Sequence, residues 1–344
     1  MIWYRVYPRL LRVLEKESNK GTSTLIKGEL IMKKAMVFPG QGSQVIGMGK
    51  ELYERYEVVR NIFKEADEAT GVSITKLCFE GPDEELRKTE NTQPAILTVS
   101  VACQRILAEE GILPDLVAGH SLGEYSALVA AGVITFAEAV ATVKTRGRLM
   151  QEAVPLGQGA MSAILGLERT KIVEICMNTS SDMSPVQAVN FNCPGQVVIA
   201  GSTEAVELAG QRLKEAGAKR VVNLPVSAPF HSVLMQPAAL KLQNVLDRLN
   251  FKDANIPVIV NVDGTVVQKG IFLKELLVRQ AASPVLWEDC VQTMEKNGAT
   301  LFIEAGPGKV LSGFTKKILT GAETVNVEDI ASLEKALDYL KGVS

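Results

Sequence analysis

The segment Gly119-His120-Ser121-Leu122-Gly123 sets a serine between two glycines at the spacing G-x-S-x-G. A serine at that spacing, between a strand and a helix, is a candidate nucleophile for acyl transfer. The context fits. Asp115–Gly119 is a short apolar run that reads as a strand. Leu122, Tyr125, Leu128 and Val129 then recur on one face of a helix ending near Ala131 and Gly132. The glycines have a steric task, because Cβ atoms at 119 and 123 would crowd so tight a turn. The hydroxyl would stand at a helix N-terminus, where free N–H groups favour a developing oxyanion. The N–H of Leu122, the residue after the serine, is the expected first donor. A plain strand–turn–helix of small residues is the competing reading of this motif alone.

A serine needs a base near neutral pH. The chain has two histidines, His120 and His231. Neighbours on a tight turn point apart, so His120 is a poor base for Ser121. His231 lies in Ser227-Ala228-Pro229-Phe230-His231-Ser232, a proline-stiffened loop from which an imidazole can reach across a cleft. A lone loop histidine is ordinarily a surface or structural residue. Given a serine nucleophile, His231 is the remaining candidate. No acidic third member is evident.

The elements that must carry these groups read as α/β. A strand at Met36–Phe38 runs into a glycine-rich loop at 40–49. Helical spacing covers 50–70, a buried helix runs from Asn91 to Glu110 with Pro94 near its first turn, and another helix covers 136–153. From 157 to 226 the texture changes to short strands and two short helices in the order β-α-β-β-α-β, the ferredoxin-like signature. After His231 a helix, a strand at Val258–Val262, a strand at Leu301–Ala305 and a last helix complete the pattern. The expectation is a hydrolase-like parallel-sheet core over 33–156 and 227–344, with an inserted ferredoxin-like α+β subdomain over 157–226.

With 344 residues, 47% hydrophobic and 22% charged, the chain is long enough for a sizeable core plus an insert. Its net charge of −2 gives no global pull toward nucleic acid or an anionic membrane. Five scattered cysteines, with no C-x-x-C, argue against a disulfide framework and a zinc site. They suit a reducing cytosol. No run of 18 apolar residues occurs. Residues 1–31 are charged and unpatterned and lack a signal peptide's apolar core. Lys27-Gly28-Glu29 is compatible with a purine-rich ribosome-binding sequence just before Met32. We therefore expect 1–31 to be a non-native or disordered extension; N-terminal sequencing of native protein that found Met1 would refute the misplaced start.

Several blocks together resemble the malonyl-CoA:acyl carrier protein transacylases and the related acyltransferase domains of fatty acid and polyketide synthases. They are Phe38-Pro39-Gly40-Gln41-Gly42-Ser43-Gln44, Asn91-Thr92-Gln93-Pro94-Ala95, Gly119-His120-Ser121-Leu122-Gly123-Glu124 and Arg146-Gly147-Arg148-Leu149-Met150-Gln151. Asn190-Phe191-Asn192-Cys193-Pro194-Gly195-Gln196, Phe230-His231-Ser232 and Asn261-Val262-Asp263 continue the series in the family's order.

The resemblance implies that Ser121 carries the malonyl ester and that His231 is its general base and acid. It implies that a main-chain carbonyl near Gln280 orients the histidine in place of an acid. Gln41 would be the second oxyanion donor through its N–H, and Arg146 the partner of the malonyl carboxylate. A guanidinium suits that role because it stays charged in a dry pocket and grips a carboxylate bidentately. By spacing alone Arg148 is an equal choice. His120, as a polar contact or a packing residue, and Gln280, Asn192 and Phe230 complete the implied substrate site, Phe230 by crowding the α-carbon. The implied reaction moves malonyl from malonyl-CoA to an acyl carrier protein, with no cofactor and no metal. A cytoplasmic, monomeric enzyme acting in trans is expected. A polyketide-type acyltransferase shares this chemistry, and a serine thioesterase or hydrolase shares the dyad.

Overall fold

The computed structural model describes residues 32–226 and 228–342; the expected extension at 1–31 lies outside them. The chain starts with β1 (Lys33–Phe38), crosses the glycine-rich loop, and forms α1 (Lys50–Arg55), α2 (Glu57–Thr70), α3 (Ile74–Glu80), α4 (Asp83–Leu86) and α5 (Thr89–Glu109). β2 (Leu116–Gly119), α6 (Gly123–Ala130) and α7 (Phe136–Glu152) follow. Next come β3 (Gly159–Leu165), α8 (Arg169–Thr179), β4 (Val186–Cys193), β5 (Gln196–Ser202), α9 (Thr203–Glu215) and β6 (Arg220–Asn223). A 3-10 turn at Val233–Met235 leads into α10 (Gln236–Leu246), β7 (Val258–Ile259), β8 (Val266–Val267), α11 (Gly270–Gln280) and α12 (Trp287–Lys296). β9 (Ala299–Ala305), α13 (Val310–Ile318), β10 (Glu323–Val327) and α14 (Ile330–Gly342) close the described chain.

Two sheets result. The larger has the order β10-β9-β1-β2-β7-β8 and is parallel except for the β7–β8 hairpin pair. Its central strands are buried on both faces, which is why they read as continuous apolar runs. Met36 and Phe38 face one cluster with Val117, Leu301 and Ile303. Ala35 and Val37 face the other with Leu116, Ala118 and Phe302. The smaller sheet, β4-β5-β3-β6, is antiparallel throughout and carries α8 and α9, the ferredoxin-like arrangement. A separate apolar cluster joins it to the core: Met161, Val189 and Val198 of the small sheet meet Met150 of α7, Phe230 and Met235. The cleft between the sheets is therefore walled by side chains that also hold the two parts together.

Local chemistry fixes the elements nearest the cleft. α7 begins at a capping box in which Thr135 accepts from Glu138 N–H and Glu138 reaches back to Thr135 N–H. Such a cap contributes about 1 kcal/mol. The stretch expected as one helical segment at 50–70 is two helices, broken at Tyr56, whose backbone is extended. α5 begins at Thr89, two residues before the expected start, so Pro94 lies inside it, in its second turn. The strand expected at Val258–Val262 stops at Ile259, because Asn261 leaves the sheet and gives its N–H to Glu124 Oε2 at 2.9 Å. The helix expected to end the chain is followed by β10 and α14. β10 is a half-buried edge strand of five residues with only Val325 and Val327 apolar, so its periodic signal is short and weak.

Candidate active site

Three strand ends meet at the cleft, as open parallel sheets arrange their sites. β1 feeds the Gln41 loop, β2 feeds Ser121, and β7 feeds Asn261. Phe38 pairs with Gly119, so β1 and β2 end side by side.

Ser121 sits on the tight turn between β2 and α6 with φ of 52°. The flanking glycines are sterically required. A Cβ on Gly119 would lie 1.8 Å from the carbonyl carbon of Gly123, and one on Gly123 would lie 2.1 Å from Phe38 O. Asn261 clamps the turn from outside: its Oδ1 accepts Ser121 N–H at 2.7 Å, and its Nδ2 donates to Gly119 O at 2.7 Å. Gly123 N–H is taken by His120 O and Glu124 N–H by Ser121 O. The N–H groups of Leu122 and Gln41 donate to no acceptor among the described residues, and both residues line the cavity beside Ser121. Two open amides beside a serine hydroxyl are what an oxyanion hole requires.

His231 has φ of 64°, and its Nε2 is 2.7 Å from Ser121 Oγ. Its Nδ1 is 2.9 Å from the main-chain oxygen of Gln280. A carbonyl oxygen only accepts, so the ring proton sits on Nδ1 and Nε2 presents its lone pair to the serine. Burial, then the nearby Arg146 cation, lower the imidazole pKa to about 3. The ring is therefore neutral at physiological pH and competent as a base. His120 points away from Ser121 Oγ. Its Nε2 is 2.9 Å from Asn192 Oδ1, its ring packs 5.6 Å from Trp287, and burial lowers its pKa.

Arg146, on α7, is 1% exposed. Its Nη1 donates to Gln93 Oε1 at 2.8 Å, and its Nη2 donates to Gln280 Oε1 at 2.9 Å and Ser121 Oγ at 3.2 Å. Among the described residues its Nε has no partner and no carboxylate lies within 4.0 Å of the guanidinium. The guanidinium also stands 5.6 Å from the Tyr125 ring centroid. A buried cation held only by amide and hydroxyl oxygens is costly unless an anion completes it. Arg148, its rival by spacing, is exposed.

The cavity has a volume of about 100 Å³. Met150, Met161, Leu224, Val226 and Phe230 form its apolar wall, against Ser121, His231, Arg146, Gln93 and His120. Gln280 and Asn192 do not line it; they reach it through Arg146, His231 and His120. Sequence reasoning did not single out Gln93, Asn261 or Glu124. Each lay inside a quoted block, but a helix amide, a turn asparagine and a helix carboxylate carry no signal of their partners at that level. Among the described residues no group of three His, Cys, Asp or Glu side chains is placed to hold a metal ion.

The arrangement can activate a serine, receive an oxyanion and hold a carboxylate near the acyl carbon. The acyl transferase domain family matches residues 35–338. A malonyl CoA-acyl carrier protein transacylase from Bacillus subtilis is 50% identical over 309 residues, 90% of this chain and 98% of its own length. That of Escherichia coli K12 is 48% identical over 305 residues, 88% of this chain and 98% of its own length. The crystal structure of an acyl carrier protein S-malonyltransferase from Vibrio cholerae superposes with a TM-score of 0.86 at 51% identity, covering 88% of this chain and 99% of that one. A malonyl-transacylase in complex with a type II PKS acyl-carrier protein superposes at 0.87 and 48% identity, covering 89% and 99%.

Proposed function

The chain belongs to the acyl transferase domain family, and from that premise we propose that it transfers malonyl from malonyl-CoA to the phosphopantetheine thiol of an acyl carrier protein, supplying chain extension in fatty acid synthesis. The observation that carries the malonyl assignment is the buried Arg146 guanidinium, 3.2 Å from Ser121 Oγ and without a carboxylate partner among the described residues. A thioester's malonyl group brings a free carboxylate to that point, and the fork can take it bidentately.

The reaction proceeds in two half-steps. His231 Nε2 takes the Ser121 proton as Oγ attacks the thioester carbonyl. The tetrahedral oxyanion rests on the N–H groups of Leu122 and Gln41. Collapse breaks the C–S bond, and the imidazolium gives its proton to the departing CoA thiolate. The main-chain oxygen of Gln280 holds Nδ1–H throughout, standing where a triad places an acid. The carrier's thiol then enters, gives its proton to His231, and attacks the malonyl ester. A second oxyanion collapses, the proton returns to Ser121 Oγ, and malonyl leaves on the carrier. These steps draw on protein groups alone and call for no cofactor.

The apolar wall of Met150, Met161, Leu224, Val226 and Phe230 keeps water from the ester, which separates a transferase from a hydrolase. Incubation with radiolabelled malonyl-CoA, with and without the holo carrier, distinguishes the two. Label on the carrier supports transfer; label released mainly as free malonate supports the thioesterase or hydrolase. The similarity to a malonyl-transacylase bound to a type II PKS carrier favours a second acceptor for the same chemistry. Competition between fatty acid and polyketide carriers decides the pathway. The reading includes a monomeric, cytoplasmic enzyme. Five buried free cysteines suit a reducing compartment, and no helix among the described residues is long and apolar enough to cross a membrane. Sedimentation velocity tests the monomer, and a dimer at working concentration would contradict it.

A further inference from the structure

Glu124 lies three residues after Ser121 on α6, is 1% exposed and does not line the cavity. One of its oxygens, Oε2, accepts two hydrogen bonds: Asn261 N–H at 2.9 Å and Gln280 Nε2 at 3.1 Å. The two residues it holds grip the elbow. Asn261 bonds Ser121 N–H and Gly119 O, and Gln280 Nε2 also donates to Ser121 O at 2.9 Å. Gln280 reaches further: its Oε1 accepts from Arg146 Nη2, and its main-chain oxygen accepts from His231 Nδ1. Nucleophile, base and carboxylate-binding cation are thus tied to two residues, Asn261 through its main-chain N–H and Gln280 through its side-chain amide, that share one buried oxygen.

From this connectivity we propose that Glu124 is a positioning residue that aims Arg146 at the malonyl carboxylate through Gln280 while fixing the Ser121 turn through Asn261. The inference rests on the malonyl-transfer reading. The Gln280 amide has a direction to choose, and Glu124 and Ser121 O choose it together: with Nε2 turned to these two acceptors, Oε1 must face Arg146. Without Glu124 the amide keeps Ser121 O as its acceptor but loses the second one, so the oxygen that sets the Arg146 fork is held less firmly. Burial raises the Glu124 carboxyl to about 7, and in either protonation state Oε2 can meet the two donors as an acceptor oxygen. An amide at this position offers the same oxygen.

The test uses the full chain with Glu124→Ala, Glu124→Gln and Gln280→Met, the last keeping the main-chain oxygen that holds His231. Ser121 acylation by malonyl-CoA and by acetyl-CoA, which has no carboxylate, is followed by mass spectrometry, with folding checked by thermal melting. Glu124→Ala should slow malonyl loading about 100-fold. It should also lower the malonyl-to-acetyl ratio about 10-fold, and Glu124→Gln should recover most of both losses. A purely structural role would slow both thioesters equally and leave the ratio unchanged; a folded Glu124→Ala with the wild-type ratio overturns the proposal. So does a Glu124→Gln as impaired as Glu124→Ala. If Glu124→Ala does not fold, Gln280→Met decides, since an unchanged ratio there removes the relay. A wild-type enzyme that loads acetyl as fast as malonyl would overturn the functional reading itself; the pattern of loss in Glu124→Ala and rescue in Glu124→Gln would still report on the Ser121 clamp.

Discussion

His231 Nε2 stands 2.7 Å from Ser121 Oγ, and these two residues are the non-glycine positions with positive φ among the described residues, at 64° and 52°. Each such conformation costs about 1–3 kcal/mol and persists only where its surroundings over-determine it. Here they do. Asn261 and Gln280 hold the serine turn, Gln280 O holds the ring, and Ser232 Oγ bonds back to Pro229 O at 2.7 Å to brace the histidine loop. The strain delivers both reacting atoms to hydrogen-bond distance before substrate arrives.

Burial and the Arg146 cation lower His231 to about 3, and burial lowers His120. In an untagged protein the His231 imidazole should stay neutral from pH 8 to pH 5.5 in histidine-selective NMR, and the His120 midpoint should lie below 6.5. A ring titrating with a midpoint near 6.5 would contradict this. The linked stability has a defined sign: a lowered folded-state pKa stabilises above the unfolded value of 6.5 and loses that contribution as pH falls toward 3. Glu124, raised from 4.5 to about 7, has the opposite sign, stabilising below 4.5 and losing its contribution as pH rises through 7. Replacing His231 by Gln should therefore flatten the acid limb of a melting-temperature profile.

Arg146→Ala should raise KM for malonyl-CoA and lower kcat/KM about 10- to 150-fold, the worth of a hydrogen bond to a charged group. Acetyl loading should rise relative to malonyl. Arg146→Lys should restore little, because a point charge cannot reproduce a planar fork. Steady-state kinetics with both thioesters checks this.

How much of this was legible in the sequence follows from what kind of signal each residue carries. Ser121 sat in a local motif whose glycines have a steric cause, so it could be read directly. His231 came from a count, since the chain has two histidines and one was excluded by adjacency. Arg146 against Arg148 was undecidable by spacing, because neighbouring helix arginines differ only in which face is buried. Asn261 and Glu124 were invisible as site residues. Their roles come from bonds across 140 and 137 residues of chain, and no local pattern encodes such partners. Among the elements, buried parallel strands announced themselves by continuous apolar runs, β7 included although it stops at Ile259, whereas the edge strand β10 did not.

Asn261→Leu removes both clamps on the turn and leaves Ser121 N–H and Gly119 O unsatisfied. We expect a stability loss of about 1–3 kcal/mol and a kcat loss that exceeds any change in KM. Denaturant melts and steady-state kinetics separate the two. A variant as active and as stable as wild type would show that the clamp is idle.

Gly119→Ala places a methyl group 1.8 Å from a backbone carbon that no side-chain motion can relieve. The turn must open, at a cost above about 4 kcal/mol. Soluble yield and thermal melting should both collapse. A folded, active Gly119→Ala would mean that the elbow is looser than its geometry states.

The central claim is a malonyl ester on Ser121. Intact and peptide mass spectrometry after brief exposure to malonyl-CoA should show one malonyl group on the Ser121 peptide. Addition of the holo carrier should remove it and place it on the carrier's phosphopantetheine thiol. Ser121→Ala should carry no label and lose about 10⁴-fold or more in rate. A protein that transfers malonyl at the wild-type rate without Ser121, or that carries its ester elsewhere, would contradict the account.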